Sequence, residues 1–313
     1  LRRRGMARIA VVGLAGDSGC QIACVGLHEK LIDILTENEL VYAPTLVDAK
    51  DFPHADVSII EGGIRTRHEE ETAKRVRMRS KVVVTIGSCA CFGGIPGLAN
   101  LGRGEDLLKN VYGGLKGTVG GVIPEHDEVV PHVKPVDAVV KVDYMVPGCP
   151  PEVSDIAYAL TTLLKGETPE PSKTDVCDDC PKKRIGEYSK KLKRIHEENA
   201  DPERCLLEQG FLCIGPATRG GCGAPCPTAG APCDGCRGPT EKNDDQGLTM
   251  IDALMNLISG ASSEFSLSRD SAAIYRYTFA SSRLGRLINR MKMTAVRVRT
   301  PTLKRRSRYS YAE

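Results

Sequence analysis

Eight of the chain's thirteen cysteines fall between Cys177 and Cys236. They read Cys177-x-x-Cys180, then Cys205, Cys213, Cys222, Cys226 and Cys233-x-x-Cys236, with glycine and proline filling the gaps at Gly215-Pro216, Gly220-Gly221, Pro232 and Gly238-Pro239. The stretch holds almost no apolar run from which to build a core, so the expectation is that its cysteines, and not buried hydrocarbon, fold it. Eight thiols make two four-cysteine sites. A Cys-x-x-Cys pair points two sulfurs at one centre from a tight turn, and that geometry serves zinc ribbons and iron–sulfur clusters alike. Spacing alone leaves those two readings level.

The rest of the composition narrows the class. At 313 residues the chain suits two domains, and its 41% hydrophobic content is enough for a buried core. A net charge of +3 is too close to balance to imply a nucleic-acid partner. No stretch approaches the roughly 20 apolar residues of a membrane span. The basic start, Leu1-Arg-Arg-Arg-Gly-Met6, leads directly into a short strand-like run without a cleavage-site pattern, and is at best a faint echo of a twin-arginine signal. The expected location is therefore cytoplasmic. Thiols stay reduced there, and clustered cysteine means metal more often than disulfide.

From Arg8 to about residue 165 the pattern alternates between strand and helix. Arg8–Gly13, Leu40–Val47, Val57–Ile60, Lys81–Ile86 and Lys141–Val146 read as strands, and Gln21–Leu35, Thr66–Arg79 and Glu152–Leu164 as helices. Such alternation predicts an α/β fold with a doubly wound parallel sheet of flavodoxin type, followed by a loop-rich cluster domain. Residues 101–140 read as a surface excursion. Further helices are expected over Leu248–Ile258 and near Ile274–Arg290, with a basic, extended tail beyond Thr300. The implied boundaries are 1–170 for the sheet domain, 171–260 for the cysteine-rich domain and 261–313 for a C-terminal extension.

Asp17-Ser-Gly-Cys20 follows the first strand, Glu61 closes the third, and Cys89 and Cys149 each follow a strand directly. In a parallel sheet these places share the carboxyl edge, where such folds bind ligands. This predicts a third site with three cysteine ligands, its fourth ligand open among Asp17, Cys24, Glu61 or none. Isolated cysteines at strand ends suit a zinc ribbon poorly, which moves the whole reading toward iron–sulfur clusters. Cys24 and Cys91 read as small core residues. The six histidines show no metal spacing, no phosphate-binding loop is present, and no nucleophile stands beside a base.

Together these motifs resemble the small subunit of nickel–iron hydrogenases, in particular the cytoplasmic methyl-viologen-reducing type that works with heterodisulfide reductase. The resemblance rests on Gly16-Asp-Ser-Gly-Cys20, His28-Glu-Lys-Leu-Ile-Asp33, Glu61-Gly-Gly-Ile64, Gly87-Ser-Cys-Ala-Cys-Phe-Gly-Gly-Ile-Pro-Gly97, Pro147-Gly-Cys-Pro-Pro151, Cys205-Leu-Leu-Glu-Gln-Gly210, Gly215-Pro-Ala-Thr218 and Pro232-Cys-Asp-Gly-Cys-Arg-Gly-Pro-Thr240. It spans roughly residues 8–258, and the last fifty or so residues add little to it. It implies three 4Fe-4S clusters: an inner one on Cys20, Cys89 and Cys149, an outermost one on Cys177, Cys180, Cys205 and Cys213, and a middle one on Cys222, Cys226, Cys233 and Cys236. It implies an oxidoreductase subunit with two partners, a large subunit holding the catalytic centre and an electron-acceptor subunit. One departure matters: the family's Cys-x-Gly-Cys has Asp17 at its first position here, which makes Asp17 the candidate fourth ligand, a harder donor than thiolate. Two other readings stand beside this one: the same relay in a nickel-free complex, and a zinc-stapled scaffold without redox work.

Overall fold

The computed structural model describes residues 6–44, 46–102, 104–114, 119–123, 129–189, 191–257 and 267–289. The N-terminal arginines, Lys190, Ile258 and the basic tail beyond Thr300 lie outside the described residues. In chain order the strands are β1 (Arg8–Gly13), β2 (Glu39–Tyr42), β3 (Ala55–Glu61), β4 (Ile64–Thr66), β5 (Ser80–Ile86), β6 (Val129–Lys134) and β7 (Tyr144–Val146). The helices are α1 (Gly19–Val25), α2 (Glu29–Glu37), α3 (Arg67–Arg79), α4 (Gly87–Phe92), α5 (Gly104–Tyr112), α6 (Val153–Leu164), α7 (Val176–Asp179), α8 (Pro225–Thr228), α9 (Gln246–Leu257) and α10 (Leu267–Ile274).

β2, β1, β3, β5 and β7 pair in that order, every pair parallel, with apolar side chains buried on both faces. Counted along the chain, this is the flavodoxin strand order expected of the alternating pattern. The register is the part that builds the site. Gly13 pairs with Glu61, Glu61 with Ile86, and Ile86 with Val146, so four strands end in one row. α3 starts where Thr66 caps it: its hydroxyl accepts from Glu69 N–H, and the Glu69 carboxylate accepts from Thr66 N–H. Only Ala73 and Val76 of α3 are buried, which makes it the charged covering helix the sequence indicated.

Several expectations need correction. The helix expected over Gln21–Leu35 is two helices, broken at 26–28, where His28 takes φ 51°. The apolar period runs through the break because Leu27, in the turn, is buried beside Cys24 and Ile34. Residues 101–140 are not a bare excursion. They contain α5 and β6, and β6 pairs antiparallel with β4 as a two-stranded sheet while burying Val130 and Val133. Of the helix expected near Ile274–Arg290 only residues 283–289 are helical; α10 ends at Ile274 and turns fill the stretch between.

The largest correction concerns the cysteine-rich half, which does have an apolar core. Val176, Leu206, Leu207, Phe211, Ile214 and Ala217 pack with Met250 and Leu254 of α9 and with Ile274, Tyr275 and Phe279. The sequence hid it because the contributors come one or two at a time, separated by glycine and cysteine. Five of them also come from beyond residue 245. The two halves meet closely: a Cβ on Gly238 would sit 2.2 Å from the Phe92 ring, and one on Gly93 2.5 Å from Ala280 Cβ.

Two consequences are testable. Phe279→Ala empties a fully buried site in this shared core and is expected to cost about 3–5 kcal/mol, read as a drop in denaturation midpoint of the purified protein. Asp143 accepts from Val83 N–H at 2.8 Å and from Arg77 Nη1 at 2.5 Å, extending the short pairing of β7 with β5. Burial alone would raise its pKa, but the Val83 amide and the Arg77 guanidinium outweigh it and hold the carboxyl below its usual value. The stability it adds is present above the unfolded carboxylate pKa of about 3.9 and is lost as pH falls through the lower folded value. Asp143→Asn is expected to cost about 1–2 kcal/mol at pH 7, modest because the pair is part-exposed, and to flatten the acid limb of the stability profile.

Candidate functional site

β1 ends at Gly13, and the chain crosses the sheet edge through Leu14–Ser18 before α1 begins with Gly19 and Cys20. β5 ends at Ile86, and Cys89 sits in the first turn of α4. β7 ends at Val146, and Cys149 follows in the next loop. The shared row of strand ends brings these three thiols together. Cys20 lies in electrostatic reach of Glu61, Cys89, Cys149 and Asp17, Cys89 of Cys149, Asp17 and Glu61, and Cys149 of Asp17. The sulfurs occupy space that only glycine leaves: a Cβ on Gly87 would lie 2.3 Å from Cys20 Sγ, and one on Gly94 2.6 Å from Cys89 Sγ.

Three of the open candidates for fourth ligand have different surroundings. Asp17 is exposed at the mouth of the edge, its Oδ1 accepting from Gly19 N–H at 3.0 Å. Glu61 is buried, and its carboxylate accepts from Gln21 N–H at 3.2 Å and Gln21 Nε2 at 2.9 Å. Cys24 is buried in the sheet core, with Glu61 as a charged neighbour, and burial pushes its thiol up to about 12. Cys91 is also enclosed, against the Thr85 hydroxyl at 3.4 Å.

The eight later cysteines gather at two neighbouring places. Cys177 lies in reach of Cys213 and Cys205, and Cys213 of Cys205 and Cys180. Cys236 lies in reach of Cys222 and Cys226. Cys233 sits at the seam, nearer in effect to Cys213 than to Cys236, and its N–H donates to Cys213 Sγ at 3.3 Å. The backbone of Gly215 lies beside the Cys213 thiol and that of Gly235 beside Cys233. α7 is set by a capping box in which Asp175 accepts from the Cys177 amide at 2.8 Å.

Across the junction the Cys149 backbone and thiol lie in electrostatic reach of the Cys236 sulfur. The Ser88 hydroxyl lies between Gly148 O, at 2.9 Å, and Cys236 O, and Arg237 pairs with Asp155 of α6. Sequence reading passed over Ser88, although it stands inside the Gly87-Ser-Cys89 motif. It also missed Tyr277, whose phenol lies near both Cys149 and Cys236. Nothing in the spacing of Tyr277 marks it, since only folding returns residue 277 to the junction.

These thiols share one electrostatic problem. Burial, followed by neighbouring thiolates and carboxylates, pushes Cys89, Cys213 and Cys236 up to about 11 and raises Cys20, Cys177 and Cys233 further. A cationic centre among them reverses that balance and makes the thiolate the favoured form. Sulfur donors, an amide N–H aimed at one of them and close glycine cradles fit an iron–sulfur group. Among the described residues, no three His, Cys, Asp or Glu side chains converge to hold a single metal ion.

Comparison with known proteins bears this out at the level of family. Residues 18–163 match the family model described as NADH ubiquinone oxidoreductase, 20 Kd subunit. A subunit of the vhu F420-non-reducing hydrogenase of Methanocaldococcus jannaschii is 46% identical over 253 residues, covering 80% of this chain and 88% of the relative. The iron-sulfur subunit of the F420-non-reducing hydrogenase of Archaeoglobus profundus is 34% identical, covering 90% of this chain and 98% of the relative. Among solved structures, a chain of an NAD+-reducing [NiFe]-hydrogenase superposes with a TM-score of 0.50 at 32% identity, over 53% of this chain and 94% of that one. The sheet, its cysteine-bearing edge and the extent of this similarity agree: the chain belongs to the hydrogenase small-subunit family, and is the part of an oxidoreductase whose catalysis takes place on a large subunit.

Proposed function

We propose that this chain binds three 4Fe-4S clusters and relays electrons between a hydrogenase large subunit and an acceptor subunit. The observation that carries the proposal is the continuity of sulfur through the molecule. Cys20, Cys89 and Cys149 meet at the sheet edge, Cys149 lies in reach of Cys236, and Cys233 lies in reach of Cys236 and donates its N–H to Cys213 Sγ. Iron–sulfur clusters supply one-electron chemistry when bound at such sites. The chain's part is to hold them in line.

In this reading Cys20, Cys89, Cys149 and Asp17 hold the inner cluster, Cys222, Cys226, Cys233 and Cys236 the middle one, and Cys177, Cys180, Cys205 and Cys213 the outermost. Asp17 is favoured as fourth ligand because it is in reach of all three inner thiols. Glu61 has its oxygens engaged by Gln21, and Cys24 is packed in the core. The working division is a sheet domain over 1–170 and a cysteine-rich domain over 171–260, onto whose core residues 274–280 fold back. The acceptor is a separate subunit linked to heterodisulfide reductase, and the complex works in the reducing cytoplasm. Both follow from the resemblance of the motifs to the methyl-viologen-reducing type. Among the described residues, no helix is long and apolar enough to cross a membrane.

Iron and sulfide analysis tests the core of the proposal: about twelve of each per chain are expected, and a colourless, zinc-only preparation overturns it. Cys177→Ser is expected to remove about a third of the iron while sparing the other signals, since one ligand set is broken. Asp17→Cys and Asp17→Ala should each alter the electron paramagnetic resonance spectrum of the reduced inner cluster; unchanged spectra in both would reject Asp17 as a ligand. Co-purification identifies the partners: a large subunit with nickel supports the hydrogenase role, and one without it points to a nickel-free relay.

A further inference from the structure

Ser88 stands between Gly87 and Cys89 in the first turn of α4 and is 1% exposed. Its N–H donates to Gly148 O at 2.7 Å. Its Oγ lies 2.9 Å from that same oxygen and is hydrogen-bonded to Cys236 O, the nearer of the two. A serine hydroxyl has one proton to give. Gly148 O is already served by the Ser88 amide, whereas among the described residues no backbone N–H donates to Cys236 O. The hydroxyl proton therefore goes to Cys236 O. One buried residue thus ties three cysteine-bearing segments together: Cys89 is its chain neighbour, Cys149 follows the Gly148 carbonyl, and Cys236 receives its proton.

Resting on the cluster assignment above, we propose that Ser88 is the bridge by which an electron passes between the inner and the middle cluster. Electronic coupling falls off more slowly along covalent and hydrogen bonds than across a gap, so a short, unbroken bond path carries the transfer. From Cys89 the path runs through the Ser88 peptide, Cα, Cβ and Oγ. It crosses one hydrogen bond to the Cys236 carbonyl and reaches the Cys236 sulfur through that residue's own Cα and Cβ. From Cys149 it enters the same serine through the Gly148 carbonyl and the Ser88 N–H. The Arg237–Asp155 ion pair also joins the two halves, but Asp155 lies inside α6, beyond Pro150-Pro151, so its bond path to Cys149 is much longer. In the step one cluster is oxidised by one electron and the other reduced by one, and the hydroxyl proton stays on Oγ. That hydroxyl faces a carbonyl and not a sulfur, so it governs the rate of transfer and leaves the potentials alone.

The test uses the complete hydrogenase complex, mixed with hydrogen, frozen at successive times and read by electron paramagnetic resonance, so that reduction of the inner and middle clusters is followed separately. Ser88→Ala should slow reduction of the middle cluster behind the inner one several-fold, with iron content and midpoint potentials as in the wild type. Ser88→Thr keeps the hydroxyl and should restore the wild-type rate, while Ser88→Val, its equal in shape, should be as slow as alanine. Asp155→Asn loosens the same junction without touching the bridge and should leave the rate in place; equal slowing there makes Ser88 a mechanical tie and overturns the inference. An unmoved rate in an iron-loaded alanine or valine variant also overturns it, and leaves the approach of Cys149 to Cys236 as the path. Loss of iron in both of those variants makes the hydroxyl a requirement of assembly, which overturns it as well. A wild-type complex without iron, or with clusters that hydrogen does not reduce, overturns the relay reading instead, and is seen before any variant is made.

Discussion

The hydrogen-bond ladder of the parallel sheet is the constraint on which the inner site depends. Gly13, Glu61, Ile86 and Val146 stand in one row across four strands, so the chain leaves the sheet at one level after β1, β3, β5 and β7. Cys20, Cys89 and Cys149 are then a few residues downstream of a common line. A slip of one residue in any pair would turn that strand's buried side chains to the opposite face and shift its cysteine out of line. Burial on both faces of the sheet holds the register, and thereby places three sulfurs drawn from across 130 residues of sequence.

The second half meets that edge through polar contacts. Ser88 bridges the Gly148 and Cys236 carbonyls, and Arg237 pairs with Asp155. A thiolate in a buried place is costly unless charge or hydrogen bonds compensate it, as the Cys233 N–H does in donating to the Cys213 sulfur. Glycine is required where those sulfurs approach the backbone. Gly87 and Gly94 do for Cys20 and Cys89 what no residue with a Cβ could.

Some of this was legible in the residues alone. Alternating strand and helix signals gave the doubly wound sheet, and a cysteine directly after a strand marked the ligand edge, because strand direction in such folds follows from connection handedness. The core of the cysteine-rich half was not legible. Phe211, Leu212 and Ile214 form only a short run around Cys213 between glycines, and their partners Met250, Leu254, Tyr275 and Phe279 arrive from segments whose apolar period is short. The antiparallel pair of β4 and β6 escaped for a related reason: Ile64 and Lys134 are far apart in sequence, and neither strand is long enough to show an alternation.

By itself the sequence determined where the candidate donors stand: which thiols follow strands directly and which fall in Cys-x-x-Cys pairs. Those are local facts, written in spacing and residue type. Tertiary structure alone decided how the donors are connected. It set Cys233 against Cys213, engaged Glu61 with Gln21 and joined Thr278, Gln246 and Thr218 in one buried chain of hydrogen bonds. The physical reason is that hydrogen bonds to sulfur depend on direction and contact between segments far apart in the chain, and neither is fixed until the two cores have packed against each other.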